Sequence, residues 1–166
     1  MIIKITNLPV GIHALRFEKS VNELQLGEPF IDNLILDCTL DKSQHQIVIK
    51  CNLTIFADLF CDRCNIEFKK ELFAEFSLLY IFDKNDFDEE QENLKYLSPN
   101  TDKIDLNEDV IDFANLSLPM KKLCSEDCKG LCVRCGTNLN HDKCNCAEKE
   151  DDSVWAPLLN LKDKLK

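Results

Sequence analysis

The sequence predicts an α+β fold: an antiparallel β-sheet with one main helix and a C-terminal cysteine-rich, zinc-binding segment. Three observations lead there. Between residues 34 and 82, apolar and polar side chains alternate with a period of two, as in half-buried strands. Residues 107–118 switch to helical spacing. Six of the ten cysteines crowd into LCSEDCKGLCVRCGTNLNHDKCNC, residues 123–146, and a CDRC tetrapeptide stands about sixty residues earlier.

Taken in order, the strands begin weakly. Residues 1–8, with Ile3 and Ile5 on one side, and residues 11–18 are expected as strands, with Asn7, Pro9 and Gly11 turning the chain between them. Pro29 marks the next break. In LILDCTL, residues 34–40, Leu34, Leu36, Cys38 and Leu40 share a face. After a polar turn at residues 42–46, Ile47, Ile49, Cys51, Leu53 and Ile55 do the same, so the two runs form an antiparallel hairpin. Cys38 and Cys51 fall on the apolar faces and are expected there as small hydrophobes and not as metal ligands.

A third strand is expected over residues 72–82, with CDRC at the connection before it. Residues 83–103 hold seven acidic side chains between Asp83 and Asp102 and are expected as an exposed acidic loop. Residues 104–106 are expected to pair briefly with the sheet. The helix follows, with Asn107 as its N-cap, Glu108 and Asp109 at its positive end, and Val110, Ile111, Phe113, Ala114 and Leu118 as its apolar face. Pro119 ends it. The chain thus divides into an α+β domain over residues 1–122, a zinc segment over 123–147 clasped to 61–64, and an acidic linker with a short C-terminal helix over 148–166. In that last part Trp155, Leu158, Leu159 and Leu165 are expected to make an apolar stripe.

Composition narrows the function. A chain of 166 residues, 45% hydrophobic and 30% charged, has the make-up of one soluble domain. Its net charge of −10 argues against a general nucleic-acid coat. A modest basic island remains around the cysteines, where Lys121, Lys122, Lys129, Arg134 and Lys143 outnumber Glu126, Asp127 and Asp142. The N-terminus has no secretory pattern, and the longest apolar run is far short of the ~20 residues of a membrane helix. A cytoplasmic protein with no membrane partner is therefore expected, and in that compartment clustered thiols serve metals more often than disulfides. No phosphate loop, dinucleotide fingerprint or hydrolase elbow is present. An enzyme with a small-molecule substrate is not expected.

The thiols parse as four close pairs: Cys61 with Cys64, Cys124 with Cys128, Cys132 with Cys135, and Cys144 with Cys146. Zinc takes four ligands in a tetrahedron, commonly as two such pairs. Cys132, Cys135, Cys144 and Cys146 are close enough in sequence to form a self-contained ribbon. Cys61, Cys64, Cys124 and Cys128 would then bolt the strand connection to the segment after the helix. A rival grouping joins Cys124, Cys128, Cys132 and Cys135 locally. His141 is an alternative ligand in place of Cys144 or Cys146. Since every good ligand is a thiolate, two structural ions are expected over a catalytic one.

CDRC after a long strand, then LPMKKLCSEDCKGLCVRCGTNLN and CNC, then a short Leu-rich terminus, resembles the YceD family, the large ribosomal RNA subunit accumulation proteins of bacteria and plastids. The resemblance covers roughly residues 47–165 and is strongest at 61–64 and 118–146. It implies a non-enzymatic role in accumulation of 23S ribosomal RNA, with ribosomal RNA or a ribosome-assembly protein as partner. Some relatives keep the first two pairs without the GLCxxCG…CxC extension, which implies that Cys61, Cys64, Cys124 and Cys128 form one unit and the other four a second. One departure is Val133, where the family often has proline after CKGLC. A general zinc-ribbon nucleic-acid binder and a thiol redox or metal-buffering protein are the alternative functions.

Overall fold

The computed structural model describes residues 1–6, 8–83, 93–98 and 100–146. The C-terminal helix expected within 148–166 lies outside them. Among the described residues, seven strands and one helix follow in order: β1 (Ile2–Lys4), β2 (Gly11–Ser20), β3 (Phe30–Lys42), β4 (Gln46–Phe60), β5 (Glu67–Ile81), β6 (Leu94–Tyr96), β7 (Lys103–Asp105) and α1 (Asn107–Leu116). Strands β2 to β6 form one five-stranded sheet in chain order, antiparallel except that β6 runs parallel to β5. Strands β1 and β7 pair antiparallel in a second, two-stranded sheet.

The centre of the large sheet is set by alternation. Along β4, Ile47, Ile49, Cys51, Leu53, Ile55, Ala57 and Leu59 are all buried, while Lys50 and Asn52 face solvent. Leu34, Leu36, Cys38 and Leu40 of β3 and Leu72, Phe76, Leu78 and Tyr80 of β5 join them. A one-residue slip would turn every one of these side chains to water, so burial itself fixes the register. Strands β4 and β5 remain in register from Gln46 opposite Ile81 to Phe60 opposite Glu67. This unbroken ladder carries the 61–66 loop to the far end of the hairpin.

Helix α1 closes the apolar face. Val110 and Ala114 are fully buried, and the Phe113 ring stacks on Phe76 of β5 with centroids 4.3 Å apart. Asp109, nearly buried in the helix's first turn, is held by Lys95 of β6 at 2.6 and 2.8 Å. The helix ends at Ser117, whose N–H donates to the Phe113 and Ala114 carbonyls, just before Pro119.

Several local expectations change. Asn107 is the first helical residue and not the cap. Leu106 holds the cap position with no side-chain hydrogen bond, and Asn107 Oδ1 instead accepts from the Met1 amino group. The segment at 103–105 pairs with β1, Ile3 opposite Ile104, and not with the large sheet. Within the stretch expected as an acidic loop, Leu94 and Leu97 are buried and Leu94–Tyr96 adds a strand to β5. Cys38 and Cys51 are buried as expected, and they are more than small hydrophobes. They stand directly opposite each other on β3 and β4 and form a disulfide. Alternation assigned each to the inner face, and the register then put the two sulfurs together.

Candidate metal centre

The six residues between β4 and β5 fold back tightly. Cys61 N–H donates to the Ile66 carbonyl at 2.9 Å and Asn65 N–H to the Cys61 carbonyl at 2.8 Å, with Asn65 at φ 55°. This turn aims the Cys61 and Cys64 sulfurs to one side. The chain leaving α1 is then pinned across it. Asp62 N–H donates to the Lys122 carbonyl, and Lys122 N–H donates to Asp62 Oδ2, both at 2.7 Å. Arg63 Nη1 donates to the Cys128 carbonyl at 2.8 Å, and the Arg63 carbonyl accepts from Leu131 N–H at 3.1 Å. Gly130, at φ 77°, lies so close that a Cβ there would be 3.0 Å from the Arg63 carbonyl oxygen.

These contacts gather Cys61, Cys64, Cys124 and Cys128 into a clasp whose four sulfurs all lie within 4.8 Å of one another. Cys61 and Cys128 are 3.8 Å apart and Cys64 and Cys124 3.6 Å. Cys61, Cys64 and Cys128 are buried, with Phe68 and Leu123 packed against them. The remaining four thiols form the ribbon. Cys132 N–H donates to the Thr137 carbonyl and Gly136 N–H to the Cys132 carbonyl, a turn that Leu131 and Asn138 close as a single β-bridge. Cys132 and Cys135 thereby face Cys144, at 3.3 and 3.6 Å, and Cys146 completes a second tetrad within the same 4.8 Å limit. The rival grouping of Cys124, Cys128, Cys132 and Cys135 is not formed, and His141 belongs to neither tetrad.

The donor chemistry fits a tetrahedral cation. Four sulfurs at ~2.3 Å from one ion stand about 3.8 Å apart, close to the spacings in both sets. Within each tetrad the thiols are pushed in opposite directions. In the clasp, the Cys124 backbone N–H is the largest influence holding the Cys61 thiol down at about 6, while the Cys64 thiol is the largest pushing Cys124 up to about 12. In the ribbon, the Thr137 hydroxyl does most to hold Cys135 down at about 6, and Cys144 does most to push Cys146 up to about 12. Burial pushes the Cys128 thiol up, but hydrogen bonds from the Asn140 amide and Gly130 N–H outweigh it and leave the thiol lowered. Four thiolates this close repel one another, and a bound divalent cation would reverse the penalty.

Four residues beyond the thiols matter to the geometry: Asp62, Arg63, Thr137 and Asn140. The first two lie inside CDRC, between its cysteines, where spacing carries no signal for them. Among the basic residues noted in sequence, Lys121, Lys129, Arg134 and Lys143 are exposed.

The family model for "Large ribosomal RNA subunit accumulation protein YceD" matches residues 49–162. That span includes both tetrads. The chain belongs to the YceD family. It is similar to the chloroplastic large ribosomal RNA subunit accumulation protein YCED homolog 1 of Arabidopsis thaliana, 28% identical over 91% of this chain and 54% of the relative. A Zea mays protein of the same description is 40% identical over 29% of this chain and 17% of its own length. An uncharacterized Mycobacterium tuberculosis protein is 29% identical over 61% of this chain and 48% of its own. The chain spans about half the length of the first of these relatives. No solved structure matches. Among the described residues, no helix is long and apolar enough to cross a membrane.

Proposed function

We propose that this YceD-family chain is a non-enzymatic protein of the cytoplasm that supports accumulation of 23S ribosomal RNA and assembly of the large ribosomal subunit. In this reading Cys61, Cys64, Cys124 and Cys128 hold one structural zinc ion and Cys132, Cys135, Cys144 and Cys146 a second. The observation that carries the metal assignment is the convergence of CDRC with the segment after α1, which brings four thiols within 4.8 Å across about sixty residues of chain. Thiols gathered this way and left metal-free would repel as they ionise, so a cation is the natural stabiliser. The ions would supply rigidity, fixing the ribbon's exposed face against the end of the β4–β5 hairpin.

That face is the proposed contact surface for ribosomal RNA or an assembly protein. Val133 and Arg134 stand outward between the ribbon's first two cysteines, with Lys129 and Lys143 also exposed. Depleting the protein is expected to lower 23S relative to 16S ribosomal RNA. Unchanged ratios would reject the cellular role. If the RNA is contacted directly, purified protein binds large-subunit RNA with a salt-sensitive affinity that falls when Arg134 and Lys143 are replaced by Ala. Absence of binding at low salt would leave a protein partner as the route.

A further inference from the structure

Asn140 belongs to the ribbon by sequence and touches the clasp by geometry. It sits in the spacer between Cys135 and Cys144, on a turn held by His141 and Asp142 N–H groups donating to the Asn138 carbonyl and by Asn140 N–H donating to Asn138 Oδ1. Its side chain points the other way. Asn140 Oδ1 accepts from Lys129 N–H at 2.7 Å, while Nδ2 donates to Asn138 Oδ1 at 2.8 Å and to Cys128 Sγ at 3.3 Å. The amide orientation is fixed by these partners. Turning it over would face an oxygen towards both a carbonyl oxygen and a sulfur, and an NH₂ towards an N–H.

We propose that Asn140 is a positioning residue that couples the two metal sites, so that metal in the ribbon tetrad tightens metal binding by the clasp. The inference rests on the zinc assignment above. A thiolate that accepts an N–H hydrogen bond is better stabilised and better oriented as a ligand, and such outer contacts are typically worth about 10–100-fold in metal affinity. The donation to Cys128 requires the 136–143 spacer to keep its path, and its two ends are anchored by Cys135 and Cys144. Ribbon metal therefore preorganises the donor, and by linkage clasp metal must favour ribbon metal by the same factor. The backbone contact from Leu139 N–H to the Gly130 carbonyl, at 2.9 Å, runs beside this link and ties the same two segments. Two donors to the ribbon's own sulfurs stay within it: the Thr137 hydroxyl lies 3.1 Å from Cys135 Sγ, and Cys146 N–H donates to Cys144 Sγ at 3.2 Å.

The test uses the full chain loaded with zinc and titrated with a chelator, the clasp's release step being the one missing from Cys64→Ser. Asn140→Ala and Asn140→Asp are compared with the unaltered chain. Asp keeps an acceptor for Lys129 N–H but has no N–H to give Cys128. Both variants are expected to weaken the clasp by about 10-fold or more. In a chain whose ribbon is emptied by Cys135→Ser with Cys146→Ser, the clasp is already weakened and Asn140→Ala adds little. Cobalt(II) in the clasp gives a second readout, since loss of the N–H donor shifts its sulfur-to-metal charge-transfer band. An unchanged clasp in Asn140→Ala, full retention of affinity by Asn140→Asp, or an equal loss with the ribbon emptied would each overturn the coupling. No bound metal in the unaltered chain would overturn the zinc assignment itself.

Discussion

The clasp and the ribbon use the same four-cysteine chemistry in opposite settings. Three of the four clasp cysteines are buried, and they come from a hairpin turn and a segment about sixty residues later. The ribbon's thiols all come from residues 132–146, and Cys135 and Cys146 are exposed. The clasp fastens two distant parts of the fold to each other, whereas the ribbon closes a local loop that reaches the clasp through Asn140 and Leu139. Metal in the clasp would therefore contribute to the stability of the whole domain, and metal in the ribbon mainly to the shape of one surface.

The largest effect comes from separating the two. Cys64→Ser and Cys135→Ser are each expected to reduce bound zinc from two ions to one, measured by elemental analysis. Structural zinc contributes on the order of 10 kcal/mol of apparent binding free energy, and 1 kcal/mol moves the unfolding midpoint of a domain this size by roughly 2–4 °C. Cys64→Ser should then lower the midpoint by roughly 20 °C or more, while Cys135→Ser leaves the sheet's transition nearly in place. Equal drops in thermal unfolding would mean that the ribbon is as much a part of the fold as the clasp. Loss of both ions from either single change would mean that there are not two separable sites.

How much of this was legible in sequence follows the range of the interactions. The hairpins of β3, β4 and β5 were readable because alternation is a local signal that burial enforces. The ribbon was readable because its ligands are neighbours. Spacing alone left the clasp competing with a local grouping of Cys124, Cys128, Cys132 and Cys135. The fold separates them because the Asp62–Lys122 and Arg63–Cys128 contacts pull the first pair back to the hairpin. Register was not readable, so Cys38 and Cys51 were placed on the right face without being recognised as opposite each other. Pairing partners were also hidden: β7 found β1, and β6 was masked by the surrounding acidic residues, leaving only Leu94 and Leu97 as a short apolar signal. Asn140 has a side chain that suits turns, but its amide's reach to Cys128 is a property of the folded chain.

The joint between clasp and ribbon gives a smaller, sharper contrast. Gly130 and Gly136 both have positive φ, 77° and 71°, a conformation costing a residue with a Cβ about 1–2 kcal/mol. At Gly136 nothing lies within 4 Å of the added carbon, so Gly136→Ala carries the backbone cost alone. At Gly130 the carbon would stand 3.0 Å from the Arg63 carbonyl oxygen and 3.4 Å from its Cβ. Gly130→Ala must therefore also shift the contact in which Leu131 N–H meets that oxygen. Chemical denaturation should find Gly130→Ala the more destabilised of the two, with weaker zinc retention at the clasp. Matching losses in the two variants would show that the joint can relax and that the close approach is not needed.

The smallest effect expected starts in the ribbon. The Thr137 hydroxyl, 3.1 Å from Cys135 Sγ, is the largest influence holding that thiol down at about 6. Thr137→Val keeps the side chain's shape and branching but removes the O–H. Zinc competes with protons for the same sulfur, so a thiol that returns toward its ordinary range binds metal less well near neutral pH. The backbone of residue 137 still receives the Cys132 N–H, so the turn itself is retained. Ribbon affinity is expected to fall by about 10-fold, the lower end for loss of an outer-shell hydrogen bond. The hydrogen bonds of Thr137 go to Cys132 and Cys135 of the ribbon, so a loss at the clasp would arrive by way of the ribbon's metal. Chelator titration of Thr137→Val and of Thr137→Val with Asn140→Ala traces its route. If the clasp weakens in the single variant and the double variant weakens no further than Asn140→Ala alone, the ribbon acts on the clasp through that amide. If the clasp's loss adds in full on top of Asn140→Ala, ribbon metal reaches it by another route, such as the Leu139–Gly130 backbone contact.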